Sequence, residues 1–382
     1  MKIEIEKLSG AEEFRNAEKY LIECKCPKDI MPYENEFEMI YQNHKSIAEN
    51  FGLVIYKQNK SVLGYVPYII SSKHLNIRLG EKTLFQIKYK VIQILRPNSE
   101  QYSKEPIIIE SLLEFCATHM RKYAIFVPEL HTNTLLWKAI KDKRKRKNYN
   151  LFNNYIFVHH FHVMEKSYEK FYESLSRNSK RQIKRNKKKI EKKVGEDTRF
   201  VEYTSEEDVE KFLAAANTIS VKTYQARLFG EVVENTKEDI ALYRYYARLG
   251  FFRSFIFWIK EKPISFLLGF QTPDGVYDHA IMGYDPNWMP YGPGFRCNVL
   301  FLEKLYEKNS PICIDFGGGD SQLKRLMANN TRESVTPILF CKTFKGTVLF
   351  FIGSTTEMFN RKIVLILERI GIKNTIKKWF RK

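Results

Sequence analysis

The chain has 382 residues, enough for about two domains at roughly 150 residues each. Its 44% hydrophobic and 14% aromatic content supplies ample core and excludes a disordered or collagen-like chain. The net charge of +19 is concentrated: residues 177–193 carry +9, residues 141–147 carry +5 and residues 357–382 carry +6, so the rest is near neutral. Charge localised in this way points to anionic partners, namely phosphorylated small molecules, nucleic acid or an anionic membrane surface, with solvated helix faces as the plain alternative.

The six cysteines (24, 26, 116, 297, 313 and 341) form no CxxC pair, which fits a reduced, cytoplasmic setting. The N-terminus alternates like a strand and lacks the apolar region of a signal peptide. No stretch reaches the ~18 apolar residues a membrane span needs.

In chain order, Ile3–Leu8 reads as a strand and Ala11–Glu23 as a helix. Gly52–Tyr56 and Ser61–Ile70 read as a hairpin around Lys57-Gln58-Asn59-Lys60. A helix over Glu105–Lys122 carries Ile109, Leu112, Leu113 and Cys116 on one side. Tyr123–Val127 is a strand and Asn133–Lys141 a helix. The apolar-free run Lys141–Lys147 marks a joint.

Beyond the joint, Tyr155–Val163 reads as a strand and Glu165–Val194 as one long helix. Glu206–Ala216 and Ile240–Leu249 are helical. Strands at Phe251–Ile259, Pro263–Gln271 and Gly275–Gly283 follow, then a helix at Gly294–Asn309, a strand at Ile312–Phe316, a helix at Ser321–Asn329 and a last strand at Val335–Lys342. The first half shows a looser version of the same plan, so the expected architecture is a doubled mixed α/β unit.

Three features carry chemistry. Between strand Gly275–Gly283 and helix Gly294–Asn309 lies Met289-Pro290-Tyr291-Gly292-Pro293-Gly294-Phe295-Arg296. A strand, a Gly-x-Gly turn and a helix start bring free backbone N–H groups to a positive helix end, which suits a pyrophosphate. Ordinary turn glycines are the plain alternative. Next, Asp315-Phe316-Gly317-Gly318-Gly319-Asp320 ends a strand, with Lys324 one turn into the following helix. Asp320 reads as that helix's N-cap. Asp315 and Lys324 sit where functional side chains gather in α/β folds. Third, Arg177, Arg181, Lys184, Arg185, Lys188 and Lys192 line one side of a helix. They oppose a thin stripe of Ser176, Ser179, Ile183, Asn186, Ile190 and Val194. Arginine at Arg177, Arg181 and Arg185 suits bidentate phosphate binding.

The ordered set of Ser174–Gly195, Tyr284-Asp285-Pro286, Pro293-Gly294, and Asp315–Asp320 with Lys324 resembles the GNAT-fold acyltransferases of the CelD/BcsL type. That group is related to the Fem-type peptidoglycan transferases. The resemblance spans about residues 155–345 and is architectural over 1–140. It implies an α/β (α+β) fold of two tandem GNAT-like lobes, each a mixed, mostly antiparallel sheet flanked by helices. The expected division is 1–147, 148–345 and a basic tail at 346–382. The GNAT pyrophosphate loop is similar to Met289–Gly294, with Met289 standing where the family usually opens on Gln or Arg. Tyr291, Gly292, Gly294, Phe295 and Arg296 are therefore the cofactor-binding candidates, with acyl-CoA, most simply acetyl-CoA, as co-substrate and no permanent cofactor.

The implied reaction is direct attack of a neutral amine on a thioester held between splayed strands, with a backbone N–H steadying the oxyanion. An acceptor amine with a pKa near ~8 needs one modest base. Asp315, Asp278 and His279 are the candidates. Asp278 and His279 point to opposite faces of one strand. Tyr284 is placed to return a proton to the thiolate. Arg177, Arg181, Arg185, Asp320 and Lys324 are the substrate-binding candidates. The implied acceptor is a phosphorylated amino-sugar nucleotide or a lipid-linked glycan precursor. The alternatives are a Fem-type transfer from aminoacyl-tRNA, and a non-catalytic protein binding nucleic acid or membrane. Against base-specific RNA reading, 177–193 contains no aromatic residue.

Two clusters remain. His159, His160 and His162 lie on one strand, with His160 and His162 sharing a face; core or surface histidines compete there with a metal site. In the tail, Phe359, Ile363, Ile366, Leu367 and Ile370 recur at helical spacing, and Ile376, Trp379 and Phe380 follow among lysines. This pattern suits an anionic membrane surface contacted through 357–382, at the inner face of the membrane.

Overall fold

The computed structural model describes residues 4–24, 26, 32, 34–58, 61–79, 82–97, 106–153, 155–195, 197–223, 226, 232–307 and 310–369. The elements begin with β1 (Glu4–Ser9), α1 (Ala11–Arg15), α2 (Ala17–Glu23), α3 (Glu36–His44), β2 (Ala48–Gln58), β3 (Ser61–Leu79) and β4 (Lys82–Ile94). Then come α4 (Pro106–His119), β5 (Ala124–Phe126), β6 (Leu130–His131), α5 (Leu135–Lys141), β7 (Tyr149–Phe152) and β8 (Ile156–Val163). After these run α6 (Tyr168–Ser174), α7 (Arg177–Val194), β9 (Thr198–Tyr203), α8 (Glu206–Ser220), α9 (Lys237–Arg248), β10 (Ser254–Ile259), β11 (Lys262–Gln271) and β12 (Val276–Tyr284). A 3-10 turn (Pro286–Tyr291) leads to α10 (Pro293–Glu307), β13 (Cys313–Gly318), α11 (Gln322–Met327), β14 (Asn330–Val335), β15 (Ile338–Cys341) and α12 (Phe344–Arg369).

The chain divides into two units. One comprises Met1–Phe157 with Glu333–Lys382, the other Val158–Arg332. The C-terminal segment therefore joins the first unit, unlike the linear division at 147 and 345 expected from the sequence. The reason is pairing: β15 sets Ile338 opposite Phe126 and Leu339 opposite Ile125 of β5, and Cys341 opposite Tyr149 of β7.

The first unit's sheet runs β1-β2-β3-β4-β5-β15-β7. From Phe51 to Tyr56, β2 is buried on both faces. On β2, Leu53 and Ile55 meet Phe14, Leu21 and Phe37 of α1–α3, while Val54 and Tyr56 join the cluster formed by α4 and α5. The expected stripe Ile109, Leu112, Leu113 and Cys116 is the buried side of α4. Full burial of such side chains stabilises by about 1.5–3 kcal/mol each, which is why two helical layers are needed.

Within the second unit the order is β8-β13-β12-β11-β10-β9, antiparallel throughout except for the parallel pair β12/β13. Phe255, Phe257 and Ile259 of β10 pack with Leu267, Tyr277 and Ile314 against Cys297, Phe301, Leu302 and Leu305 of α10. Ile183 and Ile190 of α7 and Phe171 of α6 complete this layer. The weak stripe seen in the sequence is thus the packed side of α7.

Three expected elements are divided. The helix expected over 11–23 breaks at Asn16. That expected over 165–194 breaks at Leu175, where extended backbone lets the Ser176 hydroxyl accept from the Ser179 N–H and restart a helix. The last strand is interrupted at Pro337, which has no N–H to give a ladder. Elements α3, β4, β7 and β9 carry no expectation from the sequence. Helix α12 contains the expected helical stretch from Phe359 to Arg369; Ile370, Ile376, Trp379 and Phe380 lie outside the described residues. Among the described residues no helix is long and apolar enough to cross a membrane.

Candidate active site

The parallel pairing of β12 and β13 is short. Val276 faces Cys313, Tyr277 faces Ile314 and Asp278 faces Asp315, and there it stops. Beyond it β12 follows β11 to the Ser265–Tyr284 pair, while β13 follows β8 to the Gly318–His159 pair. The sequence forces this divergence. Gly317 and Gly319 take positive φ (73° and 85°), which glycine adopts without penalty, and Asp315 Oδ1 accepts the Gly317 N–H at 2.7 Å to tighten the bend.

A cavity of about 620 Å³ fills the gap. Its lining includes His279, Tyr284, Met289, Asn298, Phe316 and Lys324. A smaller one of about 280 Å³, lined by Gln182, Met282, Tyr284, Gly294 and Phe295, adjoins the start of α10.

The turn into α10 is held from outside. Asp285 caps the 3-10 turn by accepting the Asn287 N–H at 2.9 Å, and Gly292 ends it in the left-handed region at φ 63°. Asn186 of α7 donates its amide to the carbonyls of Tyr291 (2.7 Å) and Gly292 (3.1 Å). A Cβ on Gly292 would lie 2.5 Å from that Asn186 nitrogen, and one on Gly294 would lie 2.9 Å from Tyr284 Cδ1. A side chain at either position would displace these neighbours. With Pro293 at the first helical position, Gly294 and Phe295 present N–H groups that have no intrahelical acceptor, and the helix dipole adds partial positive charge there. Lys189 lies 3.5 Å from the Pro290 carbonyl and the Lys193 ammonium 6.0 Å from the Tyr291 ring, so two further cations flank the turn.

His279 is oriented by a relay from the same helix. Asn298 donates to the Gly294 carbonyl (2.9 Å), which leaves its Oδ1 to accept from His279 Nε2 (3.0 Å). The ring therefore carries its proton on Nε2 and has Nδ1 left as its accepting atom. It packs against the Phe301 and Phe316 rings. Burial pushes its pKa down to about 4, only partly offset by the bond to Asn298, so it is neutral at physiological pH.

Asp315 lies on the other side of the sheet, since its neighbour Phe316 lines the cavity. One carboxylate oxygen accepts from His159 Nε2 at 2.5 Å and the other from Arg332 at 3.1 Å. Burial pushes its carboxyl up, but the His159 and Gly317 hydrogen bonds and the Arg332 charge outweigh it, holding the pKa below the ordinary carboxylate value. Asp278, in register with Asp315, shares that side. His279 and Tyr284 are thus the sequence candidates brought into the cavity, whereas Asp315 and Asp278 are not.

Of the loop residues, Tyr291, Gly292, Gly294 and Phe295 assemble at the helix start. Arg296 instead runs along α10 toward Glu303, 4.0 Å away. Lys324 enters the cavity and donates to the Gly317 (3.3 Å) and Gly318 (2.7 Å) carbonyls. Asp320 does not cap α11. Ser321 does, accepting the Lys324 N–H, while Asp320 pairs with His160 (3.1 Å) and Arg325 (3.5 Å). Arg177, Arg181 and Arg185 line the exposed side of α7. The three histidines diverge: His159 to Asp315, His160 to Asp320, His162 to the Met327 carbonyl and the Tyr306 hydroxyl. Among the described residues no His, Cys, Asp and Glu group converges for a metal.

Residues 177–325, less than half of the chain, match the acetyltransferase (GNAT) domain family. No curated protein matches the chain. Among solved structures, FemX aligns with a TM-score of 0.53 at 9% identity, over 95% of this chain and 100% of that one. A conserved protein of unknown function from Bacteroides thetaiotaomicron VPI-5482 aligns at 0.49 and 11%, over 88% and 100%. A tandem GNAT protein from the clavulanic acid biosynthesis pathway aligns at 0.47 and 6%, over 88% and 98%. At such identity the FemX likeness concerns the fold alone. The fold is a mixed α/β arrangement of two sheets flanked by helices, and the second unit carries an acyltransferase domain of the GNAT type.

Proposed function

We propose that the protein is an N-acyltransferase of the CelD/BcsL type that moves an acyl group from acyl-CoA, most simply acetyl-CoA, to an amine on a phosphorylated amino-sugar or lipid-linked glycan precursor. The observation that carries this reading is the divergence of β12 and β13 after the Asp278–Asp315 pair, directly beside the start of α10. The pyrophosphate of CoA would be met by the Gly294 and Phe295 N–H groups with Lys189 and Lys193, and the thioester would enter the gap. Bound CoA supplies the activated acyl carbonyl. His279 Nδ1 takes the proton that the amine loses as its C–N bond forms. Tyr284 gives its hydroxyl proton to the departing thiolate and recovers one from His279, so the products are an amide and a free thiol. Transfer of a proton from a free ammonium of pKa ~8 to an imidazole at about 4 would cost about 5 kcal/mol. The amine must therefore arrive neutral, and His279 acts only once attack has acidified the nitrogen.

The exposed Arg177, Arg181 and Arg185 are suited to the acceptor's phosphates. Contact with an anionic membrane through 357–382 is supported by the exposed Met358 and Phe359. Vesicle flotation unchanged by deletion of 357–382 would remove that part. Thiol release from acetyl-CoA in the presence of UDP-amino sugars tests the reaction. Release with none of a panel of amine acceptors, alongside salt-steep binding of tRNA, would replace it with the aminoacyl-tRNA alternative.

A further inference from the structure

The first unit contains a cavity of about 890 Å³ that plays no part in the acyl-transfer site. It forms where β4 has an open edge. Parallel pairing of β4 with β5 begins only at Val91–Ala124, so Lys88, Tyr89 and Lys90 precede it without a partner strand on that side. The floor is apolar, made by Tyr89, Ala124, Phe340 and Leu349, all buried. The rim is basic: Lys88, Lys90, Arg121, Lys122 and Lys345 line it, and no acidic side chain does. Lys90 is neutralised by Glu49 at 2.5 Å, and Lys122 lies over the Tyr123 ring. Arg121 and Lys345 have no ion-pair partner among the described residues, while Lys88 shares the charge of Glu49 with Lys90.

A third contribution is backbone. The 26-residue helix α12 starts at this cavity, which is lined by Gly346 of its first turn and by Thr343 just before it, whose hydroxyl accepts the Gly346 N–H at 3.2 Å. Gly346 is fixed by approach, since a Cβ there would lie 2.1 Å from the Cys341 carbonyl. The positive end of a long helix and two uncompensated cations, Arg121 and Lys345, thus surround an apolar floor. A cation cluster over a purely solvated surface needs no such floor, and an apolar ligand needs no such rim.

We infer that this cavity binds a phosphate ester carrying an apolar body. The phosphate sits between Arg121, Lys345 and the start of α12, and the apolar part lies on Tyr89, Phe340 and Leu349. Arginine offers the paired donors that a phosphate accepts, and its exposure here leaves them available. The inference concerns the first unit and stands whether or not the acyl-transfer reading holds. A lipid headgroup and a free phosphate compound share this chemistry.

The test is calorimetric titration of the full chain with monomeric dihexanoyl phosphatidic acid, the zwitterionic dihexanoyl phosphatidylcholine, and inorganic pyrophosphate. Saturable binding of phosphatidic acid is expected, weakened at least about tenfold in the Arg121→Ala/Lys345→Ala double variant, as the loss of two charge-assisted contacts implies. The Lys211→Ala/Lys237→Ala variant removes the same charge from exposed positions of the second unit and should leave that affinity unchanged. Pyrophosphate binding with the same sensitivity to Arg121 and Lys345 identifies a free phosphate as sufficient. Its absence, with phosphatidic acid bound, identifies a lipid headgroup. No saturable binding of either anion, equal binding of phosphatidylcholine, or an equal loss in the Lys211→Ala/Lys237→Ala variant would overturn the inference.

Discussion

Gly292→Ala should disable the loop through two separable costs. The first is backbone strain: Gly292 has φ 63°, where an L-residue pays about 1–2 kcal/mol, less the ~0.4–1 kcal/mol that alanine returns by restricting the unfolded chain. The second is contact. The new Cβ would stand 2.5 Å from Asn186 Nδ2, so that amide must leave the Tyr291 and Gly292 carbonyls. Two hydrogen bonds at about 0.5–1.5 kcal/mol each bring the total to roughly 2–4 kcal/mol. Gly250 supplies the control, because it ends α9 at φ 75° and a Cβ there meets nothing within 4 Å. Gly250→Ala should therefore cost about 1 kcal/mol. Urea unfolding of both variants, followed by fluorescence, measures the difference. In an Asn186→Ala background the excess cost of Gly292→Ala should vanish. Equal losses for the two glycine variants, or an excess that persists without Asn186, would refute the contact argument.

Further outcomes follow from the same geometry. His279 is neutral in the fold down to a pKa of about 4 but titrates near 6.5 when unfolded, so the unfolded chain binds the proton first as pH falls. Stability is then full above ~6.5 and declines toward 4, by up to about 3 kcal/mol from this residue, and His279→Gln should flatten the decline in denaturation midpoints measured across that window. Asp315→Ala should lower stability by about 1–3 kcal/mol by stranding Arg332 and His159, yet leave acyl transfer per folded molecule near wild type; a hundredfold fall in kcat with unchanged melting would return Asp315 to catalysis. Ser176→Ala should cost about 1 kcal/mol in the same unfolding assay by removing the cap of α7.

What could be read from the sequence depended on whether the signal was local. The turn at 289–296 announces itself, because Gly and Pro at a strand–helix junction restrict the backbone whatever surrounds them. The buried stripe of α7 was legible for the same reason, although its Asn186 gave no hint of bridging to carbonyls more than a hundred residues away. Asn298 was silent: an amide inside an apolar helix acquires meaning only when β12 brings His279 to it. Asp315 shows the converse. A carboxylate at a strand end beside glycines looks catalytic, but strand parity turns it away from the cavity and into a charged cluster with His159 and Arg332. Asp320 lost its cap to the adjacent Ser321, a one-residue difference that local propensity does not resolve. The membership of 333–382 in the first unit rests on β15 pairing with β5 and β7, a non-local choice that no periodicity within 338–341 encodes.

The central claim is that acyl-CoA lies in the gap between β12 and β13 with its pyrophosphate at the start of α10. Hydrogen–deuterium exchange with and without saturating acetyl-CoA tests it most directly. Protection should concentrate in 279–296, including the Gly294 and Phe295 amides, and in 316–324. Binding that leaves those amides unprotected and instead shields the β4 and β5 residues around the basic cavity of the first unit would contradict it.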